Sequence, residues 1–86
     1  MNFNISFEGE AEDQLLALDK SIRYRMLKRI KKMENELPGR HLKHGLQFFV
    51  EDVGQYRLVY KCLKNNKIIY FIGLHKEYEK WFRPAK

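Results

Sequence analysis

From Leu46 to Leu74 the chain reads LQFFVEDVGQYRLVYKCLKNNKIIYFIGL. Three runs, Leu46 to Glu51, Gln55 to Leu63 and Lys67 to Leu74, are rich in β-branched and aromatic residues. Only Asp52-Val53-Gly54 and Lys64-Asn65-Asn66 separate them. Separations this short favour an antiparallel meander. Along the middle run, alternation puts Arg57 and Lys61 on one side of a strand and Tyr56, Leu58, Tyr60 and Cys62 on the other.

Working outward, Asn2 to Phe7 also alternates, with Phe3, Ile5 and Phe7 on one side, as suits a sheet with one face covered. Ala11, Leu15, Leu16 and Leu18 form the apolar stripe of a first helix with an acidic opening turn. Ser21 is placed to cap a second helix, in which Ile22, Met26, Ile30, Met33 and Leu37 recur at three- and four-residue spacing until Pro38-Gly39. The two helices are expected to form a hairpin on the sheet. Beyond the meander, Lys76 to Lys86 is basic and aromatic, and Pro84 stops any helix that begins near Lys76. The order β-α-α-β-β-β predicts one α+β domain over residues 1–86, with an N-terminal strand and helical hairpin packed on an antiparallel sheet.

The 86 residues carry 17 Lys and Arg against 11 Asp and Glu, a formal charge of +6, which favours polyanionic partners. The positive charge is concentrated. From Asp19 to Lys43, nine basic residues (Lys20, Arg23, Arg25, Lys28, Arg29, Lys31, Lys32, Arg40 and Lys43) face only Asp19, Glu34 and Glu36. Lys28, Lys31 and Lys32 lie away from the Ile22/Met26/Ile30 stripe. With Cys62 as the only cysteine, neither an intramolecular disulfide nor a thiolate zinc site can be built from this chain alone. The beginning lacks a basic segment followed by an apolar one, and no apolar run reaches membrane-spanning length. A cytoplasmic protein without a membrane partner is therefore the expectation.

The groups suited to chemistry are His41, Lys43, His44, Arg57, His75 and Lys76, with Tyr56, Tyr78 and Trp81 nearby in sequence. On a meander, the start of one strand and the end of another can share an edge, so these groups can converge. RNA cleavage through attack of the ribose 2′-hydroxyl on the adjacent phosphate requires no metal or organic cofactor. It requires a base, an acid for the departing 5′-oxygen, and positive charge at the phosphorane oxygens. Histidine serves either proton-transfer role near neutral pH, and arginine offers phosphate a rigid pair of donors. His75, at the exit of an apolar strand, is the leading histidine. Gly73 suits a close backbone approach, a bulge or a turn. Tyr78 and Trp81 suit either stacking on a base or pinning the C-terminal segment to the sheet. The three-residue spacing of His41 and His44 lacks a neighbouring Asp or Glu to complete a metal-ligand set, so no metal is expected.

Val53-Gly54-Gln55-Tyr56-Arg57-Leu58-Val59-Tyr60 resembles the RelE/ParE toxin superfamily. Ile69-Tyr70-Phe71-Ile72-Gly73-Leu74-His75-Lys76-Glu77-Tyr78 resembles the corresponding segment of its HigB-like members. The order and separation of the two segments extend the resemblance over nearly the whole chain. It implies the toxin of a type II toxin–antitoxin system, paired with a small cognate antitoxin and cutting mRNA on the ribosome. It also implies that Arg57 is the phosphate-contacting arginine and that His75 and His41 take catalytic roles. Lys43, His44, Lys61, Lys76, Tyr78 and Trp81 are the further candidates for RNA contact. RelE itself carries closely spaced lysines before that arginine, whereas this chain has Gln47-Phe48-Phe49-Val50-Glu51, so the chemistry expected is histidine-assisted. The alternatives are a ParE-like gyrase inhibitor and a catalytically weakened member that retains antitoxin binding.

Overall fold

The computed structural model describes residues 2–41 and 48–82, and only the backbone course of Arg40, His41 and Phe82. The elements run β1 (Asn4–Phe7), α1 (Ala11–Leu16), α2 (Lys20–Met33), β2 (Arg40–His41), β3 (Phe48–Val53), β4 (Tyr56–Leu63), β5 (Asn66–Leu74) and α3 (His75–Phe82). They make a five-stranded sheet of order β1-β5-β4-β3-β2. The expected meander is β3-β4-β5, antiparallel throughout. The N-terminal strand returns beside β5 and pairs with it in parallel. The two-residue strand β2 precedes the meander, and its backbone pairs with Val50 and Phe49.

Both hairpin turns are tight. Gly54 takes φ +60° at the first central position of the β3–β4 turn, where a side chain would be strained. Lys64, in the β4–β5 turn, takes φ +55° without that exemption.

The two sheet faces carry separate cores. On one face Leu58, Tyr60, Ile69 and Ile72 pack with Ala11 and Leu15 of α1 and with Met26, Ile30 and Met33 of α2. On the other, Val50, Val59 and Phe71 pack with Tyr78 of α3. A β-bulge makes the second core. Tyr60 pairs with Ile69 and Val59 with Phe71, so Tyr70 is an extra residue on β5. Strict alternation would send Phe71 and Ile69 to the same face. The inserted residue instead returns Ile72 to the helical hairpin and directs Phe71 towards α3. Gly73 follows directly: a Cβ there would lie 2.8 Å from Phe71 Cζ and 2.9 Å from Glu77 Oε1. Its missing side chain lets α3 fold back onto the sheet, so of the roles open to Gly73 the close approach is the one realised.

Three details of the helices differ from the sequence reading. Asp19, in extended conformation, is the residue before α2, and Ser21 lies inside the helix. α2 ends at Met33, ahead of Pro38-Gly39, and Leu37 is exposed. Leu16 is exposed as well, leaving Ala11 and Leu15 as the buried face of α1. The early end of α2 has a cause in β5. Lys67, expected at the start of a strand, is completely buried, and its Nζ donates to the carbonyls of Met33 at 2.7 Å and Glu36 at 2.6 Å. The ammonium lies 4.3 Å from the ring centroid of Phe3. It closes the Met33 carbonyl, which the last helical turn leaves without a partner, and the Glu36 carbonyl three residues beyond the helix. Among the described residues no helix is long and apolar enough to cross a membrane.

Candidate functional site

The hairpin β3–β4 places its charges by register. With a two-residue turn at Gly54-Gln55, the first strand pair is Val53 with Tyr56 and the second is Asp52 with Arg57. Residues directly opposite in antiparallel strands share a face. Val50 and Val59 belong to the α3 core, so Asp52 and Arg57 face α3 as well. On the other flank of Arg57, the β5 partner is Gly73, two residues before α3 begins at His75. Three segments far apart in sequence thus meet at one corner of the sheet.

Asp52 joins them. Its Oδ1 accepts a hydrogen bond from Arg57 Nε at 3.1 Å and lies 3.5 Å from His75 Nε2. Beneath the guanidinium, the Tyr78 ring centroid is 4.8 Å from Arg57 Cζ. The Arg57 side chain is 19% exposed and that of His75 52%. An ion pair this accessible contributes at most about 1 kcal/mol to stability, so its consequence is placement. Bonding through Nε leaves the four Nη hydrogens of the guanidinium for other acceptors. At the start of α3, the Leu74 N–H donates to Glu77 Oε1 at 3.1 Å, which fixes the backbone bearing His75. Gly54, Gln55, Leu74, His75 and Lys76 line a hollow of about 570 Å³ beside the imidazole. The corner therefore combines a fixed guanidinium, an accessible imidazole and room for a ligand.

Arg57 and His75 meet at Asp52, and the exposed Lys76 lines the hollow beside His75. Lys61 shares the Arg57 face but lies four residues, about 13 Å, along β4. There its Nζ sits 5.1 Å from the Phe48 ring centroid and 5.5 Å from that of Tyr70. It does not join Arg57 in one anion site. The face is also not uncovered, because α3 lies over it. Tyr78 is 8% exposed and packs on Phe71, so the expected stacking surface for a base is turned inward and supports Arg57 instead. Trp81 pins α3 to the sheet, stacking on Phe71 at 5.4 Å between centroids, and remains 38% exposed. His41 pairs with Phe49, three residues or about 10 Å along β3 from Asp52. Lys43 and His44 lie outside the described residues.

Asp52 is the residue that sequence reasoning missed. It was assigned to a separator between strands, yet a two-residue turn at Gly54-Gln55 dictates its pairing with Arg57. Counting outward from the turn would have found it.

No protein-family model matches the sequence, and no curated protein matches it. Solved structures do match in shape. A free, arginine-to-alanine double mutant of the Escherichia coli toxin RelE superposes with a TM-score of 0.78 at 16% identity, covering 94% of this chain and 92% of that one. A chain of the RelBE toxin–antitoxin complex from Mycobacterium tuberculosis gives 0.76 at 18% identity, covering 87% and 93%. The YoeB dimer from Staphylococcus aureus gives 0.67 at 24% identity, covering 87% and 99%. The chain has the fold of the RelE toxin structures, as the sequence resemblance implied.

Proposed function

We propose that this chain, built on the RelE toxin fold, is the toxin of a type II toxin–antitoxin pair and a metal-independent endoribonuclease acting on mRNA at the ribosome. The observation that carries the reading is the Asp52 carboxylate holding Arg57 and drawing His75 to the same corner. Arg57 offers its Nη donors to the scissile phosphate and neutralises charge on the phosphorane. The ribose 2′-oxygen bonds to phosphorus while the bond to the 5′-oxygen breaks. One proton leaves the 2′-hydroxyl and one reaches the departing 5′-oxygen. His75 exchanges one of them and solvent water the other; the backbone of His41 pairs with Phe49, which packs on the hairpin side of the sheet, away from Arg57. Asp52, neutralised by Arg57, orients the pair. Lys76 and Trp81 are the flanking groups for RNA. Tyr78, being buried, supports Arg57 from below.

The structural relatives crystallised with RelB antitoxins support an antitoxin as the protein partner. The direct test is primer-extension mapping of mRNA on translating ribosomes, with Arg57→Ala and His75→Ala variants beside the parent protein. The expected outcome is decoding-site cuts that weaken about 100-fold or more in both variants, with circular dichroism unchanged. Absence of cuts from folded, antitoxin-free protein would reject the ribonuclease. Inhibition of gyrase by that same preparation would identify the ParE-like alternative.

A further inference from the structure

Seven basic residues and no acidic one lie within α2. Four of them, Arg25, Lys28, Arg29 and Lys32, recur at i, i+3, i+4 and i+7 and therefore share one side of the helix over about 10 Å. They line a hollow of about 270 Å³ together with Asp52 and Val53 at the end of β3. That part of β3 lies beyond the two residues paired with β2, so the hollow opens at the sheet margin. Arg25 reaches furthest towards the hairpin: a Cβ on Gly54 would sit 3.5 Å from its Nη2. The same turn carries Asp52 and Arg57 on its flanks.

Folding accounts for only part of this stripe: Lys32 sits in the last turn, where the helix dipole favours a cation, and Lys28 Nζ lies 5.4 Å from the Tyr24 ring centroid. Like charges such as Arg25–Arg29 and Lys28–Lys32 each oppose the helix by about 0.2–0.5 kcal/mol, and α2 is held instead by Met26, Ile30 and Met33 on its inner side. Arg29 is tied internally to Glu36 and Glu51, whereas Arg25, Lys28 and Lys32 are exposed. The exposed apolar residues of α2, Tyr24 and Leu27, project about a third of a turn away from the stripe. The stripe is cationic, with the Asp52 carboxylate only at the far end of the hollow, which suits a chain of phosphates better than the apolar anchors of a protein helix.

We infer that Arg25, Lys28 and Lys32 form a second binding site for the phosphodiester backbone of RNA, reached from the Arg57 corner around the Gly54 turn. The inference rests on the ribonuclease reading for its substrate class. It adds a strand path that wraps the β3 margin, with phosphate neutralised on both sides of the hairpin. Removing the stripe should weaken RNA binding without affecting the reacting groups.

The probe is a short 2′-O-methylated RNA oligonucleotide, which cannot undergo 2′-hydroxyl attack, so binding is read without cleavage. Fluorescence anisotropy at several salt concentrations would compare the parent protein with a triple variant, Arg25→Gln, Lys28→Gln and Lys32→Gln. A charge-reversed Glu triple variant would extend the range, and the neutral version keeps the test decisive if reversal prevents folding. The expected result is at least tenfold weaker binding at low salt and a log–log salt slope shallower by about 2, since each single-strand phosphate contact contributes about 0.7. Unchanged affinity and slope in the folded Gln variant would overturn the site. So would equal binding of a poly-glutamate peptide, which would make the stripe a contact for acidic protein. Loss of oligonucleotide binding in the Gln variant, with no mRNA cuts by the parent protein, would uphold this site and reject the cleavage reading. Cuts accompanied by unchanged binding would do the reverse.

Discussion

The two sides of the sheet each hold a strand-borne cation against an aromatic ring, and the two cations are used differently. On the helical-hairpin side, Lys67 is sealed between Phe3 and the end of α2, with its donors directed to two backbone carbonyls. On the α3 side, Arg57 lies over Tyr78 and bonds a carboxylate through Nε, with part of its guanidinium reaching solvent. Lys67 ends a helix. Arg57 presents donors to whatever enters the corner. A buried cation is thus informative about function only once its partners are known: neutral carbonyls inside a core point to structure, whereas a half-exposed partner beside an imidazole points to chemistry.

Removing each cation in turn tests this contrast most severely. Lys67→Ala leaves the Met33 and Glu36 carbonyls without their donor and opens a cavity, so urea denaturation is expected to show a loss of about 3 kcal/mol or more. Arg57→Ala gives up a partly exposed ion pair and the contact with the Tyr78 ring, and is expected to cost about 1–2 kcal/mol. Equal losses from the two would abolish the distinction. Burial also pushes the Lys67 ammonium below its ordinary 10.5. Between that lowered value and 10.5 the unfolded chain binds more protons, so this group makes stability rise with pH.

Gly73→Ala addresses the α3 side alone. The new methyl meets the Phe71 ring and the Glu77 carboxylate, and the expected cost is about 1–3 kcal/mol, with a changed near-ultraviolet signal from Trp81 as α3 shifts. If denaturation and spectrum both matched the parent protein, the close approach would carry no weight in seating α3.

The smallest effect belongs to Tyr60, which is buried on the helical side and accepts a hydrogen bond from the Gly39 N–H. Burial, opposed by that bond, pushes the phenol up to about 12 from 10.0. The unfolded chain therefore releases this proton first, and stability present below pH 10 is lost as pH rises towards 12. Tyr60→Phe is expected to cost about 1 kcal/mol at neutral pH and to lessen the loss between pH 10 and 12. An alkaline stability profile identical to the parent's would show that Tyr60 is not its source.

Helix α3 was absent from the order read off the sequence, whereas the meander, the helical hairpin and the alternation of Arg57 with Lys61 were legible in it. Each is a local pattern, a period of two or of 3.6 interrupted by Gly, Pro or Asn, and such patterns do not depend on what lies across the molecule. Arg57 and His75 stood out as candidates because few side chains can meet a phosphate or exchange a proton near neutral pH. The destination of Lys67 was not legible, because a lysine at a strand start reads as solvent-facing until the carbonyls of α2 are known to converge on it. Nor was the fate of Tyr78: helical spacing alone gives an aromatic residue no side, and the bulge at Tyr70 decides that Phe71 meets it. Asp52 stood between these cases, since its pairing with Arg57 follows from turn length but its approach to His75 requires β5 to deliver α3 to the same corner. Local periodicity determined the elements and supplied the reactive side chains; register, bulge and packing, which are interactions between distant segments, decided which of those side chains share a site.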